Sequence, residues 1–376
     1  MNSKIGRTSI HESIRMKLWA ISAGRCEMCN KPLYEDSTFG VDGNFAENAH
    51  IHAVSIGGPR HKYGMTSDEK NNIDNLMLLC GEHHHMIDTY PDDFGEGLLI
   101  KRKKDHESRI RSLTDIRNEQ SCRIVSFFSN VDDYQEVFSD HLFRQAVVLS
   151  GRLPMQQPTI ELNRDSFTKY IPSKDVFESK AADLEQSFKT WFDGIVKTED
   201  SIAVFALAPQ PLLIKLGTLI NDQYNAFPYQ CHRCGHKWAW PDSDPQVNFI
   251  IKETKSGNTN HVALVIDLSA PVLDDRITSV LGDEVTILHL TISEPNRYFV
   301  KSERIQNEFV FQLRMAMEQI KNLRPAPTVI NLFPVMPNSL AIRAGMDYMA
   351  KSDLPLIIYE QDTKVGGFYE ALSIGG

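Results

Sequence analysis

Residues 201–217 read SIAVFALAPQPLLIKLG, and residues 329–345 read VINLFPVMPNSLAIRAG. An offset of 128 positions superposes the prolines, the basic residues and the glycines of the two stretches, namely Pro209 and Pro337, Lys215 and Arg343, and Gly217 and Gly345. Each stretch begins with an apolar run typical of a buried strand and continues, after its proline, at helical spacing. The pattern predicts two similar strand–loop–helix units, and chance similarity of two ordinary units of this kind is the alternative.

The sequence around both stretches alternates between strand-like and helix-like segments. Helical patterns cover residues 177–195 and 305–323, and apolar runs cover 202–207, 261–268, 285–292, 328–333 and 356–359. Strands that alternate with helices are typical of an α/β fold with parallel sheets. Histidines become rarer and this alternation begins after about residue 120, so we expect a domain boundary near residues 120–150.

The loops at the two prolines are candidate ligand sites. In an open α/β sheet, ligands bind where the carboxyl end of a strand leads into a helix, and a helix N-terminus favours a phosphate group. Lys215 and Arg343 could add positive charge to two related phosphates. The alternative is that they are surface residues whose stems cover apolar side chains.

The first third of the chain carries the strongest chemical signal. Residues 1–120 hold 8 of the 13 histidines, and histidine serves both as a metal ligand and as a base near neutral pH. Cys26 and Cys29 form one C-x2-C pair, and Cys80 and His83 form a C-x2-H pair about fifty residues later. This spacing predicts one closed tetrahedral zinc site in a loop-rich segment.

A second C-x2-C pair, Cys231 and Cys234, has no obvious partner pair, and whether it binds metal is left open. Trp238 and Trp240 follow it and alternate as side chains of a strand do. They could stack on a nucleobase, or they could pack against the core.

Composition narrows the class of protein. The chain has 376 residues, of which 41% are hydrophobic and 24% charged, as in ordinary globular proteins. No apolar run is long enough for a membrane span, and the polar N-terminus lacks a signal peptide, so we expect a cytoplasmic bacterial protein with no membrane contact. The formal net charge of −9 argues against a constitutive nucleic-acid binder.

Between the two zinc pairs, the order of His50, Asn75 and His84 resembles the motif of HNH nucleases. The resemblance covers roughly residues 20–90 and implies a ββα-metal fold, a hairpin and a helix that hold one divalent cation such as Mg²⁺ over a scissile phosphate. It implies that His50 is the general base, that Asn75 orients the loop carrying His50 and assists at the metal, and that His84 is a metal ligand.

One position departs from the HNH pattern. Many HNH sites carry an acidic metal ligand just before the base, and this chain has Ala49 there. Glu47, His52 or Asp88 could complete the cation site, and the full ligand set therefore stays open.

One arginine and one basic run are the candidate contacts to DNA. Arg60 follows a Gly-Gly-Pro turn and could reach a phosphate, or it could anchor the turn. The basic run Lys101, Arg102, Lys103 and Lys104 lies in a predicted helix and could bind DNA, or it could be a solvated face.

The phrases 336–343, MPNSLAIR, and 267–269, DLS, with the approximate repeat around them, look like a SAVED domain. SAVED domains resemble two fused CARF-like Rossmann modules, and the whole chain is similar to HNH–SAVED effectors of bacterial CBASS anti-phage systems. The resemblance implies an HNH domain at 1–125, a linker or start of the sensor at 126–149, and a SAVED domain at 150–376 to whose ligand site Ser269 belongs.

The same resemblance implies a mechanism of activation. A cyclic di- or trinucleotide binds the SAVED cleft, the chain assembles into a homo-oligomer, and paired HNH domains cleave double-stranded DNA. Two other functions are compatible with the residues. One is a modification-dependent HNH restriction enzyme, and the other is a catalytically weak DNA-binding module with a metabolite-sensing domain.

Overall fold

A computed structural model of the chain describes residues 9–36, 40–117, 120–129, 139–163, 171–192, 196, 200–232, 237–241, 243–361 and 366–375. The chain divides into two compact units, Met1–Ile116 and Arg117–Gly376. This division places the boundary earlier than the expected end of the first domain at residue 125. The reason is a strand that begins at Ser121 and pairs inside the second unit.

The first unit contains helix α1 (Glu12–Ile21), strands β1 (Glu35–Asp36), β2 (Val41–Asp42) and β3 (Ala46–His50), helix α2 (Ser67–Lys70), a 3₁₀ turn (Ile73–Asn75), strand β4 (Leu76–Cys80), and helices α3 (Gly81–Thr89) and α4 (Glu96–Thr114). Strands β3 and β4 form an antiparallel hairpin in which His50 lies opposite Leu76. Helix α3 follows β4 directly and packs on the hairpin.

The sequence pattern misassigned one segment of this unit. From the sequence alone, residues 74–86 read as the entry to a helix, but 76–80 form β4, whose five residues are all buried. A short apolar run that is covered on both faces satisfies strand geometry as well as helix geometry, and sequence periodicity cannot separate the two. The small core around β4 includes Leu18, Met77, Leu79, Ile87 and Leu99.

The second unit contains strand β5 (Ser121–Phe128), helix α5 (Asp140–Leu149), strands β6 (Leu153–Pro154) and β7 (Ile160–Glu161), helix α6 (Lys174–Phe192), strand β8 (Ser201–Leu207), helix α7 (Gln210–Ile220), and strands β9 (Asn225–Tyr229), β10 (Phe249–Lys255) and β11 (Asn258–Asp267). It continues with helix α8 (Asp274–Leu281), strand β12 (Val285–Ile292), helix α9 (Glu303–Lys321), strand β13 (Ile330–Val335), helix α10 (Asn338–Asp347), and strands β14 (Leu356–Gln361) and β15 (Phe368–Ile374).

Two sheets organise this unit. The first has the order β6-β5-β8-β9, with β7 also paired to β5, and its strands are parallel. The second has the order β10-β12-β11-β13-β14-β15, in which β11 to β14 are parallel and the two edge strands are antiparallel. The expected α/β class with parallel sheets is confirmed.

The two sequence stretches that resemble each other occupy equivalent places in these sheets. In the first sheet β8, α7 and β9 form a parallel strand–helix–strand unit, and in the second sheet β13, α10 and β14 form another. Residues 126–149, expected as a linker or the start of the sensor, hold the end of β5 and helix α5. Residues 130–138 of that range lie outside the described residues.

The aligned glycines are the point at which α7 and α10 touch. A Cβ atom added to Gly217 would lie 2.1 Å from the Ile342 carbonyl oxygen, and one added to Gly345 would lie 2.0 Å from the Ile214 carbonyl oxygen. The two contacts are reciprocal, and only a residue without a side chain allows the backbones to approach this closely. The repeat in the sequence therefore marks a helix–helix contact between the two halves.

We predict that Gly345→Ala destabilises the second unit by about 2–3 kcal/mol, because the added methyl group forces the two helices apart. Gly97→Ala is the matched control, since a Cβ at this helical glycine meets nothing within 4 Å. Denaturant unfolding of the full chain measures both. Wild-type stability for Gly345→Ala would show that the helix contact is not tight.

Candidate functional site

The four predicted zinc ligands come together in the first unit. The ligand atoms of Cys26, Cys29, Cys80 and His83 all lie within 4.8 Å of one another. The Cys80 Sγ atom lies 3.1 Å from His83 Nδ1, and the Cys26 Sγ atom lies 4.0 Å from the same nitrogen. Three thiols and one imidazole are a donor set that zinc prefers, and their spacing suits a tetrahedral ion with Zn–S bonds of about 2.3 Å.

The local fold explains why these ligands meet. The turn after Cys26 closes through the Asn30 amide, which donates to the Cys26 carbonyl at 2.8 Å, and the Glu27 amide donates to the Leu78 carbonyl of β4 at 2.9 Å. Burial raises the pKa of the Cys26 thiol to about 12. A thiolate at this position therefore needs a cation beside it, and zinc binding would release the proton.

Asn75 fixes the loop that follows the candidate base. Its Oδ1 accepts a hydrogen bond from the His52 amide at 2.8 Å, and its Nδ2 donates to the carbonyls of His52 at 3.1 Å and Lys70 at 2.8 Å. Asn75 is buried, and all three of these hydrogen bonds are to backbone groups. The expected orienting role for Asn75 has a matching geometry, and its assistance at the metal stays a prediction.

His50 ends β3, and its Nε2 lies 3.2 Å from Asn71 Oδ1. His84 lies on α3 between two carboxylates, with its Nδ1 3.9 Å from Glu47 and its Nε2 3.5 Å from Asp88. Of the three residues suggested to complete the cation site, Glu47 and Asp88 therefore lie beside His84.

His52 does not belong to this group, which corrects the expectation that it assists at the metal. Its Nε2 pairs with Glu96 at 3.1 Å, and its Nδ1 lies 3.0 Å from the Arg60 carbonyl oxygen. Both ring nitrogens therefore have protein partners, one at the start of α4 and one in the turn at Arg60.

Two of the five candidate DNA contacts are also corrected. Arg60 has a side chain only 6% exposed and bonded to backbone, so it anchors its turn. Lys103 has a side chain 6% exposed and pairs with Glu107. Lys101, Arg102 and Lys104 are exposed on α4 and remain available to a nucleic acid.

In the second unit, the N-termini of α7 and α10 lie side by side. The Gln210 Nε2 atom at the start of α7 donates to the Met336 carbonyl oxygen at 2.5 Å, just before α10. Two helix N-termini in one place concentrate N–H groups and positive potential. This arrangement favours an anionic ligand at the carboxyl ends of β8 and β13.

Each of these helix N-termini is capped by a residue from the other half of the second unit. Gln230, just after β9, accepts hydrogen bonds through Oε1 from the Ser339 amide at 3.2 Å and the Ser339 hydroxyl at 2.9 Å. Glu360, in β14, accepts a hydrogen bond from the Gln210 backbone, and burial raises the pKa of this carboxyl to about 7. The two halves therefore exchange caps at the candidate ligand site.

Lys215 and Arg343 lie on the flanks of this arrangement. Lys215 on α7 pairs with Glu185 of α6 at 3.3 Å, and Arg343 on α10 donates to Asn307 of α9 at 2.9 Å. Burial lowers the pKa of Arg343. Both cations are about one turn or more from the helix starts and have protein partners, so the phosphate contacts assigned to them stay untested.

Of the two tryptophans that could stack on a nucleobase, Trp238 belongs to the core, and the stacking role of Trp240 stays a prediction. Trp238 is 1% exposed and packs against Phe128, Phe143 and Phe205, so it does not stack on a ligand. Trp240 is half-buried beside Tyr229. Cys231 is partly buried, and its expected partner Cys234 lies outside the described residues.

Ser269 follows β11, and its amide donates to the Val335 carbonyl oxygen of β13 at 2.8 Å. Ser129 follows β5 in the first sheet, and its amide donates to the Leu207 carbonyl oxygen of β8 at 3.0 Å. In the strand register Ser129 corresponds to Leu268, whose amide donates to the Val335 carbonyl oxygen at 3.0 Å, so Ser129 and Ser269 lie one position apart in the two sheets. Both serines lie next to a strand that leads into one of the paired helices. Sequence inspection found only Ser269.

The caps and Ser129 were missed for a physical reason. The repeat offset of 128 aligns the helices, but the intervening loops differ in length, so Gln230 and Glu360 do not align and differ in residue type. The only signal available was a serine directly after an apolar strand, as in 127–129, FFS, and 267–269, DLS.

A buried histidine holds both ends of the loop that contains Ser269. His289 on β12 lies 3.3 Å from Asp267 through Nδ1 and 3.0 Å from Asp274 through Nε2. Burial lowers the pKa of His289, but the hydrogen bonds and charges of Asp267 and Asp274 outweigh it, and the pKa lies above its usual value. The imidazolium form therefore ties β11 and α8 to β12.

We expect this histidine to make stability depend on pH. Because the pKa is higher in the folded state, the stabilisation is complete below the unfolded value of about 6.5 and is lost as the pH rises through the folded value. The Tm of the wild-type chain should exceed that of His289→Gln more at pH 6 than at pH 9, measured by tryptophan fluorescence. A difference that does not vary with pH would exclude a charged His289.

We predict that Cys80→Ala removes one equivalent of zinc per chain and lowers the stability of the first unit, because the metal supplies folding free energy. Cys122→Ala is the matched control, since Cys122 is a buried free cysteine in the core of the second unit. Metal analysis and thermal unfolding measure both. Well-folded wild-type protein without zinc would contradict this assignment.

Among the helices of the described residues, none combines the length and apolar character required to cross a membrane.

A comparison with known proteins identifies one matching family. Residues 184–374 match the family model described as SAVED, "SMODS-associated and fused to various effectors sensor domain". No curated protein matches the chain.

Similar solved structures include the Cap4 SAVED/CARF-domain containing receptor of Acinetobacter baumannii with the cyclic trinucleotide 3′3′3′-cAAA, at 13% identity, 84% coverage of this chain, 68% of that chain and a TM-score of 0.46. The same receptor with 2′3′3′-cAAA is 13% identical to this chain, and the match covers 82% of this chain and 65% of that chain with a TM-score of 0.44. The Cap4 SAVED/CARF-domain containing receptor of Moraxella osloensis is 13% identical, and the match covers 78% of this chain and 60% of that chain with a TM-score of 0.42. This chain thus spans about two thirds or less of these receptors.

Proposed function

The chain belongs to the SAVED family of sensor domains fused to effectors, and on this basis we propose that it is an HNH endonuclease activated by a cyclic oligonucleotide. Its substrate would be double-stranded DNA, and its role would be anti-phage defence. The family description supports the sensor part, and a cyclic oligonucleotide as its ligand is part of the proposal. The first unit supplies the candidate effector.

One observation carries the nuclease proposal. The hairpin of β3 and β4 and the helix α3 place His50, Asn75 and His84 in one small substructure, next to four clustered zinc ligands. The zinc ligands Cys80 and His83 flank the start of α3, so a bound zinc ion would fix this helix and its next residue, His84, against the hairpin. This arrangement supports the nuclease proposal.

The proposed chemistry assigns one task to each side chain. His50 takes a proton from the attacking water, a role suited to an imidazole near neutral pH. Asn75 keeps the backbone of His52 in place, and His84 with Glu47 and Asp88 would hold a divalent cation such as Mg²⁺ through nitrogen and oxygen donors. When bound, that cation supplies charge neutralisation at the phosphate and at the leaving oxygen.

The overall charge fits a nuclease that is silent until activated. A chain with net charge −9 and only three exposed cations in its basic run binds DNA weakly at physiological salt. Assembly into a homo-oligomer would raise the effective concentration of sites at the duplex. The ligand can drive assembly only by binding the assembled form more tightly than the free chain.

The decisive experiment incubates the full chain with plasmid DNA, Mg²⁺ and a panel of cyclic di- and trinucleotides. We expect cleavage with one or a few members of the panel and none without ligand or with a chelator. Cleavage of modified plasmid only, independent of cyclic nucleotides, would favour a modification-dependent restriction enzyme. Ligand binding without cleavage of any DNA would favour a DNA-binding module.

We predict that His50→Ala lowers the ligand-activated cleavage rate by about 10²–10⁴, the usual contribution of a general base. Zinc content and ligand affinity should not change, because His50 lies outside the zinc cluster and outside the second unit. His85→Ala is the matched control, an exposed histidine of α3 beside His84. Cleavage by His50→Ala at the wild-type rate would place the base elsewhere.

A further inference from the structure

Arg60 lies at a position that joins the two elements of the proposed nuclease site. The chain after β3 turns back on itself at Gly57 and Gly58, and the Ala53 amide donates to the Pro59 carbonyl oxygen at 3.2 Å. Arg60 adopts the left-handed region with a φ of 53°, which is uncommon for a residue with a side chain. The turn directs the arginine back into the first unit.

The guanidinium reaches both the loop of the candidate base and the helix of the candidate metal ligand. Its Nε donates to the Ile51 carbonyl oxygen at 2.8 Å, and its two terminal nitrogens donate to the Ile87 carbonyl oxygen and, at 3.1 Å, to Asp88 Oδ1. The Arg60 carbonyl oxygen also lies 3.0 Å from His52 Nδ1. Every contact is to a residue one to four positions from His50 or His84.

These contacts use the features that distinguish arginine from lysine. A guanidinium offers several donors in one rigid plane, so it can bind three acceptors on two elements at once, whereas an ammonium is a single compact charge. Its side chain is 6% exposed, and its carboxylate partner Asp88 is 44% exposed. Burying a cation is costly unless its donors are hydrogen-bonded, and here the guanidinium has three acceptors.

We infer that Arg60 is a positioning residue of the nuclease, which holds the loop after His50 and the second half of α3 at a fixed separation so that His50 and His84 act on the same phosphate. This inference rests on the proposed function. The other interpretation of Arg60, a direct contact to a DNA phosphate, conflicts with its burial and with donors already bonded to protein.

The first test uses the full chain without any ligand or DNA. Hydrogen exchange should become at least tenfold faster for peptides covering residues 50–56 and 84–90 in Arg60→Ala and in Arg60→Lys. Lys62→Ala is the matched control, a cation two residues away whose side chain is 58% exposed, and its exchange should equal that of the wild type. Unchanged exchange in both Arg60 variants would overturn the inference, whether or not the chain cuts DNA.

The second test measures the ligand-activated cleavage of DNA. Misplacement of reacting groups by about 1 Å can cost about 10²-fold in rate, so kcat should fall by about 10² in both Arg60 variants while KM and its salt dependence stay at wild-type values. Millimolar methylguanidinium should restore part of the rate of Arg60→Ala and none of that of His50→Ala.

Three results would contradict this assignment. A raised KM with a weaker salt dependence and unchanged kcat would identify a DNA contact. Wild-type kcat would show that the separation is held by other groups, and loss of zinc with loss of cooperative unfolding in both variants would show a purely structural role. A wild-type chain that cuts no DNA with any cyclic nucleotide would refute the proposed function instead, and the exchange result would still decide the placement of Arg60.

Discussion

The close contact between α7 and α10 at Gly217 and Gly345 is the constraint on which the sensor unit depends. It brings the two helices within backbone distance, and this sets their N-termini beside each other at the carboxyl ends of β8 and β13. Two aligned helix starts make a site for an anion without requiring a lysine or arginine at its centre. The acidic composition of the chain is therefore compatible with binding a polyanionic ligand.

The same contact explains the exchange of caps. Because the helix starts are adjacent, Gln230 of the first half reaches Ser339 of the second, and Glu360 of the second half reaches Gln210 of the first. These side chains satisfy N–H groups at the helix starts, so a phosphate bound there would compete with them. Because each half caps the other, such competition would affect both halves.

The first unit is stabilised in a different way. Its described core is small and centres on one buried strand, β4, which leads into the cluster of Cys26, Cys29, Cys80 and His83. A loop-rich unit of this kind gains stability from metal ligation more readily than from apolar burial. Next to this cluster, Asn75 and Arg60 both bind backbone of the loop that follows His50, so the geometry of the proposed site is set by polar side chains that do not react.

The sequence was informative where spacing or periodicity controls the structure. The two C-x2 pairs, the repeated glycines and the alternation of strands and helices are local patterns, and each corresponds to a feature of the fold. For Arg60 and Trp238 the sequence left two roles open, and Lys103 and His52 were misassigned. These roles depend on burial and on partners distant in the sequence, such as Asp88 and Phe205. β4 was missed because a fully buried strand has no alternation of polar and apolar residues.

In the proposed mechanism, occupancy of the sensor unit controls cleavage by the first unit. The most direct measurement titrates one activating cyclic nucleotide into the full chain and records ligand occupancy by calorimetry and plasmid cleavage in the same buffer. We expect no cleavage without ligand, and we expect the cleavage rate to rise over the same range of ligand concentration as the occupancy. Equal cleavage with and without ligand, or saturation of the sensor with no cleavage, would contradict it.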